Sequence, residues 1–309
     1  MPPCSSLKRT REEALEILST NDFPDESLRL LPFSRLKRRV TSYISAILLG
    51  LIEGFTEFLP VSSTGHLQLA ERWLQPQSEL FDILIQCGAV LAVIAVFHSR
   101  LRGLLQNFRA PASRDYLGKL LLAFAITIVG VLLAEKLHLK ARKEDVAAAA
   151  WTARIAWATL IGGLLFLIVE MALRGRSGGI EITWSVAVAV GLAQILAACY
   201  PGTSRSGATI LFALCLGIAR PAATEFSFLV GVPTLLAAGG YKLFKAWRHH
   251  ELGGENWVAV FLATCVAAIT AFLVVRWLLR FIQNHTFILF GWYRIVLGAV
   301  LLVLPRFWP

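Results

Sequence analysis

The chain has 309 residues, of which 56% are hydrophobic and only 16% charged, with a formal net charge of +10. Soluble domains usually carry about 25% charged residues, and the mean hydropathy here is +0.64. Because apolar runs long enough to cross a bilayer recur along the chain, this composition excludes a soluble globular protein. The basic residues lie in short loops between these runs, so we expect membrane lipids rather than nucleic acid as their partner.

The first 40 residues are polar and mix both signs of charge, and we interpret them as an N-terminal tail. Residues 41–309 are predicted to form a single polytopic membrane domain. Basic residues outside the tail are balanced between the two predicted membrane faces. The tail's own basic residues only weakly favour cytoplasmic termini.

Two stretches of the membrane domain are alike. Residues 50–66 (GLIEGFTEFLPVSSTGH) align with residues 191–207 (GLAQILAACYPGTSRSG), and each runs from an apolar helical pattern through Pro into a Ser, Thr and Gly cluster. The matched pairs are Gly50 and Gly191, Pro60 and Pro201, and Ser63 and Ser204. This similarity predicts a repeat of about 41–175 followed by a second of about 180–309.

The proline in each stretch predicts a broken helix. A helix broken within lipid leaves backbone groups without partners, so the simplest solution is a re-entrant hairpin. About three spans follow each hairpin, and an odd number places the second half upside down. The fold class is therefore an all-α integral membrane protein of two inverted repeats, whose tips meet near the midplane. The alternative is that the broken helices cross fully and the likeness is chance.

Two acids occur in the first broken helix. Glu53 and Glu57 are four residues apart and so share one helix face. Neighbouring carboxylates in apolar surroundings repel each other unless a bound cation or a shared proton neutralises part of their charge. A hard divalent ion such as Mg²⁺ suits oxygen ligands and often bridges to substrate phosphate, so this pair is a candidate metal site.

The segment after Pro60 carries three hydroxyls and an imidazole. Ser62 and Thr64 are candidate phosphate-binding groups, since hydroxyls and free backbone N–H groups suit an anion. Ser63 and His66 are three residues apart, so on a helical turn His66 could deprotonate a nucleophilic Ser63. Alternatively, His66 attacks phosphorus itself.

The second tip contains an arginine among small residues. A guanidinium at this depth needs an anion, and phosphate offers bidentate geometry to Arg205. Ser204, Ser206 and Thr209 are further candidate phosphate-binding hydroxyls. The alternative for Arg205 is a structural ion pair with one of the acids of the first tip.

Polar residues outside the tips are predicted to have supporting roles. Tyr293 and Arg294 interrupt the last apolar run and are expected to support the site from behind. Glu225 is predicted to pair with Arg220 at a membrane edge, and Gln86 to make an interhelical contact.

Acids, hydroxyls, an imidazole and a guanidinium together suit phosphoryl transfer, where positioning and charge neutralisation carry most of the catalysis. At residues 53–66 and 201–209 the sequence resembles the undecaprenyl-diphosphate phosphatase family, also called the bacitracin-resistance proteins. The likeness covers roughly residues 41–306. On this resemblance the paired acids are Glu53 and Glu57, the hydroxyl and imidazole are Ser63 and His66, the phosphate-binding arginine is Arg205, and Ser204 and Thr209 are supporting hydroxyls.

The resemblance implies hydrolysis of undecaprenyl diphosphate to the monophosphate and phosphate, which recycles the carrier lipid of peptidoglycan synthesis. It also implies dependence on a divalent cation, Mg²⁺ or alternatively Ca²⁺. It further implies a bacterial cytoplasmic membrane location, with the active site open to the outer side. The rival hypothesis is a lipid-phosphate or anion transporter using the same inverted-repeat site. The sequence leaves open whether the chain forms a homo-oligomer.

Overall fold

The computed structural model describes residues 32–71, 73–74, 77–139 and 146–307, with the backbone alone described for 32–41 and 304–307. This part of the chain is α-helical, with one short 3₁₀ helix at Glu251–Gly254. The α-helices are α1 (Pro32–Thr56), α2 (Ser63–Ala70), α3 (Glu79–Val96), α4 (His98–Gln106), α5 (Pro111–Lys136), α6 (Ala148–Ala172), α7 (Trp184–Cys199), α8 (Arg205–Cys215), α9 (Arg220–Arg248), α10 (Trp257–Asn284) and α11 (Ile288–Phe307).

Five of these helices, α3, α5, α6, α9 and α10, are long and apolar enough to cross a membrane. Shorter apolar helices are Ser42–Thr56 within α1, together with α7, α8 and the Ile288–Val303 part of α11. The protein is therefore an all-α, multi-pass membrane protein, as the composition predicted. The predicted broken helices are the pairs α1/α2 and α7/α8, because a turn containing the proline separates the members of each pair.

Both turns end in a serine with a strained backbone. Ser62 has a φ of 73° and Ser204 a φ of 67°, a region that residues other than glycine rarely adopt. Each serine caps the helix that follows: Ser62 Oγ accepts from Gly65 N at 3.3 Å and Ser204 Oγ from Gly207 N at 3.1 Å. These caps correct the sequence alignment by one residue. Ser62, rather than Ser63, is the structural counterpart of Ser204.

The two halves pack against each other reciprocally. Gly50 of α1 fits against the backbone of Ala263 in α10, and its counterpart Gly191 of α7 fits against Ala123 in α5. A Cβ at either glycine would overlap the neighbouring helix. Helix α6 packs on α11, and α3 packs on both α9 and α10. Helices of each half thus pack against helices of the other half in a matching way, which supports a two-fold relation between the halves. The inversion of one half across a membrane stays a prediction.

The predicted N-terminal tail falls mainly outside the described residues. Helix α1 begins at Pro32, so the last residues assigned to the tail are helical. Residues Ser45–Pro309 form one compact unit, whose main core is made largely by α3, α5 and α7 to α10, with Phe166 of α6 and Phe290 of α11. Residues 1–31 are not described.

Candidate active site

The tips of the two halves meet at the carboxylate of Glu57. Ser63 Oγ donates a hydrogen bond to Glu57 Oε2 at 2.9 Å, and Arg205 Nη2 donates to Glu57 Oε1 at 3.3 Å. Ser206 Oγ donates to the carbonyl of Leu59 at 3.1 Å and so ties the second tip to the first. One site is therefore built from both halves, as the inverted-tip hypothesis requires.

Local chain geometry directs both donors toward Glu57. Ser63 is the first residue of α2 and Arg205 the first residue of α8, directly after the capping serines Ser62 and Ser204. The two donors thus occupy equivalent positions at two helix N-termini. Free backbone N–H groups and the positive end of the helix dipole favour an anion at such a terminus. Two N-termini converging on one point suit a multiply charged anion.

Arg205 is held in place by its neighbours, but two of its nitrogens have no hydrogen-bond partner. Its side chain is 12% exposed, and its Cζ lies 5.4 Å from the centre of the Phe58 ring. Its Nε and Nη1 are buried without a hydrogen-bond partner. Unpaired buried donors are costly, so these two nitrogens suit an incoming anion. Gly231 of α9 leaves the room for the guanidinium, since a Cβ there would overlap it.

The ion pair with Glu57 was predicted as the structural alternative for Arg205, and the structure contains it. The pair uses Nη2 alone among the guanidinium nitrogens. Pairing with Glu57 and binding of a phosphate are therefore compatible roles for the same side chain.

Glu53 is a fully buried carboxylate without hydrogen bonds. Its side chain is 0% exposed, and neither of its oxygens has a hydrogen-bond partner. Glu57, Asp82 and Gln86 lie near enough to interact with it electrostatically. A buried charge in this position requires a counter-ion or a proton, which fits the predicted cation site.

Asp82 is a residue that the sequence argument missed. It lies in the first turn of α3, and the signal was an acid within the apolar run FDILIQC. Gln86, one turn further on, faces the same carboxylate, as the predicted interhelical contact requires. Within the described ranges, no three His, Cys, Asp or Glu side chains form a group that could hold a metal ion. Further oxygen ligands for a cation at Glu53 and Glu57 would therefore include groups other than carboxylates, such as hydroxyls, amides, substrate and water.

His66 is held by two hydrogen bonds. Its Nδ1 lies 2.8 Å from the carbonyl oxygen of Ser62, and its Nε2 lies 2.6 Å from Tyr293 Oη. The two rings stack, with their centroids 5.6 Å apart. A carbonyl only accepts, so Nδ1 carries the proton of the neutral ring, and the Tyr293 hydroxyl donates to Nε2.

This geometry corrects the predicted pairing of His66 with Ser63. Both ring nitrogens are engaged elsewhere, whereas the hydroxyl of Ser63 has Glu57 as its acceptor. The spacing of three residues does place both side chains on one turn of α2. The spacing alone could not show that a closer acceptor comes from the end of α1.

The remaining predicted hydroxyls mostly hold the tips together. Ser62 and Ser204 cap helices, Ser206 bonds to the other tip, and Thr209 donates to the backbone of its own helix. Thr64 is exposed beside them. Direct contact of these five hydroxyls with a phosphate stays a prediction.

Arg294 supports both tips from behind, as predicted. Its side chain is 0% exposed. It donates through Nη1 to Pro60 O at 3.2 Å, through Nη2 to Thr203 O at 3.0 Å and to Gly202 O at 3.3 Å, and through Nε to Thr159 O at 3.2 Å. The carbonyls of Pro60, Gly202 and Thr203 lie in the turns that break the two helices, where no helical N–H donates to them, so Arg294 helps to satisfy them.

The predicted pair of Glu225 with Arg220 is wrong. Arg100 Nε donates to Glu225 Oε1 at 3.0 Å, while Arg220 Nε donates to Glu170 Oε1 at 2.9 Å. Five residues along an α-helix correspond to about 140° of rotation. Arg220 therefore faces α6, and Glu225 faces α4.

Comparison with known proteins gives consistent matches over the membrane domain. The family model described as bacitracin resistance protein BacA matches residues 46–300. An undecaprenyl-diphosphatase of Rhizobium etli (strain CIAT 652) is 48% identical over 261 residues, which cover 84% of this chain and 96% of that protein. Undecaprenyl-diphosphatases of Xylella fastidiosa (strain 9a5c) and Xanthomonas axonopodis pv. citri (strain 306) are 48% and 44% identical, each over 97% of its own length.

Proposed function

Because the chain belongs to the family of the bacitracin resistance protein BacA, we propose that it is an undecaprenyl-diphosphatase. It hydrolyses undecaprenyl diphosphate with one water to undecaprenyl phosphate and inorganic phosphate. This returns the carrier lipid to cell-wall synthesis. The single observation that carries the proposal beyond the family name is the convergence of Ser63 and Arg205, one from each half, on Glu57.

The contacts of Ser63 favour it as the nucleophile. Its hydroxyl already donates to Glu57 Oε2 at 2.9 Å, so this carboxylate is in place to accept the proton as the oxygen attacks the terminal phosphorus. The Oγ–P bond forms as the bond from phosphorus to the bridging oxygen breaks, and undecaprenyl phosphate leaves. Water then attacks the phosphorus of the phosphoserine and the Oγ–P bond breaks. Glu57 returns its proton to Ser63 Oγ, and the proton lost by water leaves with the inorganic phosphate.

Arg205 is the group that recognises the phosphate. Its Nε and Nη1 lack partners in the protein, so they can donate to phosphate oxygens without losing existing bonds. Nη2 meanwhile keeps the guanidinium against Glu57. Negative charge that develops on the transferred phosphoryl group therefore meets a positive charge held in place before the reaction.

Glu53 and Glu57 are the residues that we propose hold a divalent cation, Mg²⁺ or Ca²⁺. The buried oxygens of Glu53, which have no hydrogen-bond partner, fit such an ion. When bound, the ion supplies positive charge that neutralises the diphosphate. From the sequence resemblance, we also propose that the protein lies in the bacterial cytoplasmic membrane with the site open to the outer side.

The test is phosphate release from undecaprenyl diphosphate by the purified full chain in detergent, with and without a chelator. We expect release by the wild type, loss of release with chelator, and strong loss in Arg205→Gln. The transporter alternative predicts no release in detergent, together with passage of the lipid phosphate across reconstituted vesicles. That pair of results would overturn the proposal. The names of the relatives favour hydrolysis.

A further inference from the structure

At one end of the helix bundle, ion pairs join the ends of α4, α6 and α9. Arg100 of α4 pairs with Glu225 in the first turns of α9, and Arg220 of α9 pairs with Glu170 near the end of α6. Glu170 also accepts from the backbone N–H of Phe287, between α10 and α11, at 2.9 Å. These helix ends therefore lie on one side of the bundle, which we name the α4 end.

The α4 end carries exposed arginines that have no ion-pair partner among the described residues. We name these arginines the basic rim, and they are Arg102, Arg109, Arg114, Arg174 and Arg176.

Most acids at this end are already engaged with other cations. Asp115 is bound by Lys119, while Glu170 and Glu225 are bound by the arginines described above. Glu181, in the link between α6 and α7, is exposed. The rim therefore presents an excess of positive charge that the protein itself does not neutralise.

Apolar side chains are exposed beside these charges. Leu104 is 5% exposed and anchors α4 to the bundle, whereas Leu105 is 65% exposed and Phe108 is 54% exposed. Trp184 at the start of α7 is 50% exposed. The Nζ of Lys119 lies over its ring, 5.7 Å from the ring centroid. Exposed tryptophans and phenylalanines next to basic groups are typical of the membrane–water interface.

We propose that the α4 end is a binding surface for anionic phospholipid headgroups. Helix α4 lies along the bilayer surface, where Leu105 and Phe108 enter the acyl region and the basic rim contacts lipid phosphates. Its position supports this, because α4 directly joins the candidate spans α3 and α5 and so must lie where they leave the membrane. A soluble polyanion would satisfy the arginines but would leave the two apolar side chains in water.

The test is native mass spectrometry of the delipidated full chain, titrated with phosphatidylglycerol and, separately, with phosphatidylcholine. We compare the wild type with Arg102→Gln/Arg109→Gln/Arg114→Gln. A matched control at the opposite helix ends is Lys136→Gln/Lys245→Gln/Arg248→Gln, which removes the same charge from exposed positions. None of these residues belongs to the proposed active site.

We expect the wild type to bind phosphatidylglycerol more tightly than phosphatidylcholine. Each rim arginine removed should weaken that preference about fivefold, since one basic residue near an anionic surface is worth about a factor of that size. The control variant should keep the preference. An unchanged preference in the rim variant, or an equal loss of preference in the control variant, would overturn the proposal. Phosphate release, measured separately in detergent, distinguishes this outcome from failure of the proposed enzymatic activity.

Discussion

The contacts of two side chains separate the candidate nucleophiles. Ser63 donates to Glu57 at 2.9 Å, an arrangement that activates a hydroxyl. His66 has its Nδ1 proton committed to the carbonyl of Ser62 and its Nε2 lone pair occupied by Tyr293. For the imidazole to attack phosphorus, Tyr293 would first have to move. The geometry therefore favours serine over histidine.

Ser63→Ala tests this preference directly. If serine is the nucleophile and Glu57 its base, kcat should fall by several orders of magnitude, because such groups act as a unit. If His66 attacks and serine only binds phosphate, the cost is one hydrogen bond to a charged group, about 10- to 150-fold. The measurement is phosphate release in detergent. Ser99→Ala, which removes an exposed hydroxyl in α4, outside the candidate site, is the matched control and should stay close to wild type.

Tyr293→Phe tests the hydrogen bond to His66. Removing the hydroxyl leaves Nε2 without its donor, so the ring is no longer fixed in the Nδ1-protonated form. We expect a changed ¹⁵N chemical shift of His66 Nε2 and a kcat close to that of the wild type, because the proposed serine mechanism makes no use of this nitrogen. Tyr241→Phe, in an exposed part of α9, should change neither. A Tyr293→Phe enzyme that is faster than wild type would instead support attack by His66.

At the scale of helices, the position of Arg205 depends on a glycine in the neighbouring helix. Gly231 of α9 faces the guanidinium so closely that a Cβ would overlap it. Gly231→Ala should therefore displace Arg205 from Glu57 and lower kcat/KM about 10- to 150-fold, the cost of losing a charged hydrogen bond. Gly240→Ala is the matched control, because it lies in the same helix and has nothing within 4 Å of its Cβ position.

The readout for these two variants is the rate of phosphate release together with thermal unfolding. Alanine is favoured over glycine inside a helix by about 1 kcal/mol. The control should therefore unfold at the same or a slightly higher temperature than wild type. Equal activity of the two variants would show that α9 does not position the arginine.

The sequence predicted the elements of the site better than their contacts. Proline followed by small hydroxyl residues is a local signal, and it located both tips. The contact of His66 with Tyr293 joins residues 227 positions apart, and no local pattern encodes it. The repeat alignment was displaced by one residue after the prolines, because the second turn is one residue longer. Only the backbone at Ser62 and Ser204 reveals that difference.

At the scale of the whole molecule, inversion of the halves can be tested by labelling from the two sides of the membrane. The loop after α4 and the loop after α9 follow the first full span of each half, so inverted repeats place them on opposite sides. The two variants are Ala110→Cys and Gly254→Cys, each in a chain whose five cysteines are replaced by alanine. We expect an impermeant maleimide to label one of them only in right-side-out vesicles and the other only in inside-out vesicles.

Labelling of both positions from the same side would contradict the inversion while leaving the shared site intact. Phosphate release by each cysteine variant shows that the labelled protein is folded. Gly254 suits this purpose because its Cβ position faces open space.

The two tips share one scaffold but carry different chemistry. Each has a proline, a serine at positive φ and a capped helix, yet the residue after the cap is Ser63 in one and Arg205 in the other. Where the first half has Glu53, the aligned residue of the second is Gln194, which donates to Thr127 instead. Under the proposed mechanism, activity depends on this difference between the two halves. A perfectly symmetric chain would have either two such serines or two such arginines after its capping residues. Neither half alone would then carry both the proposed nucleophile and the proposed phosphate-binding group.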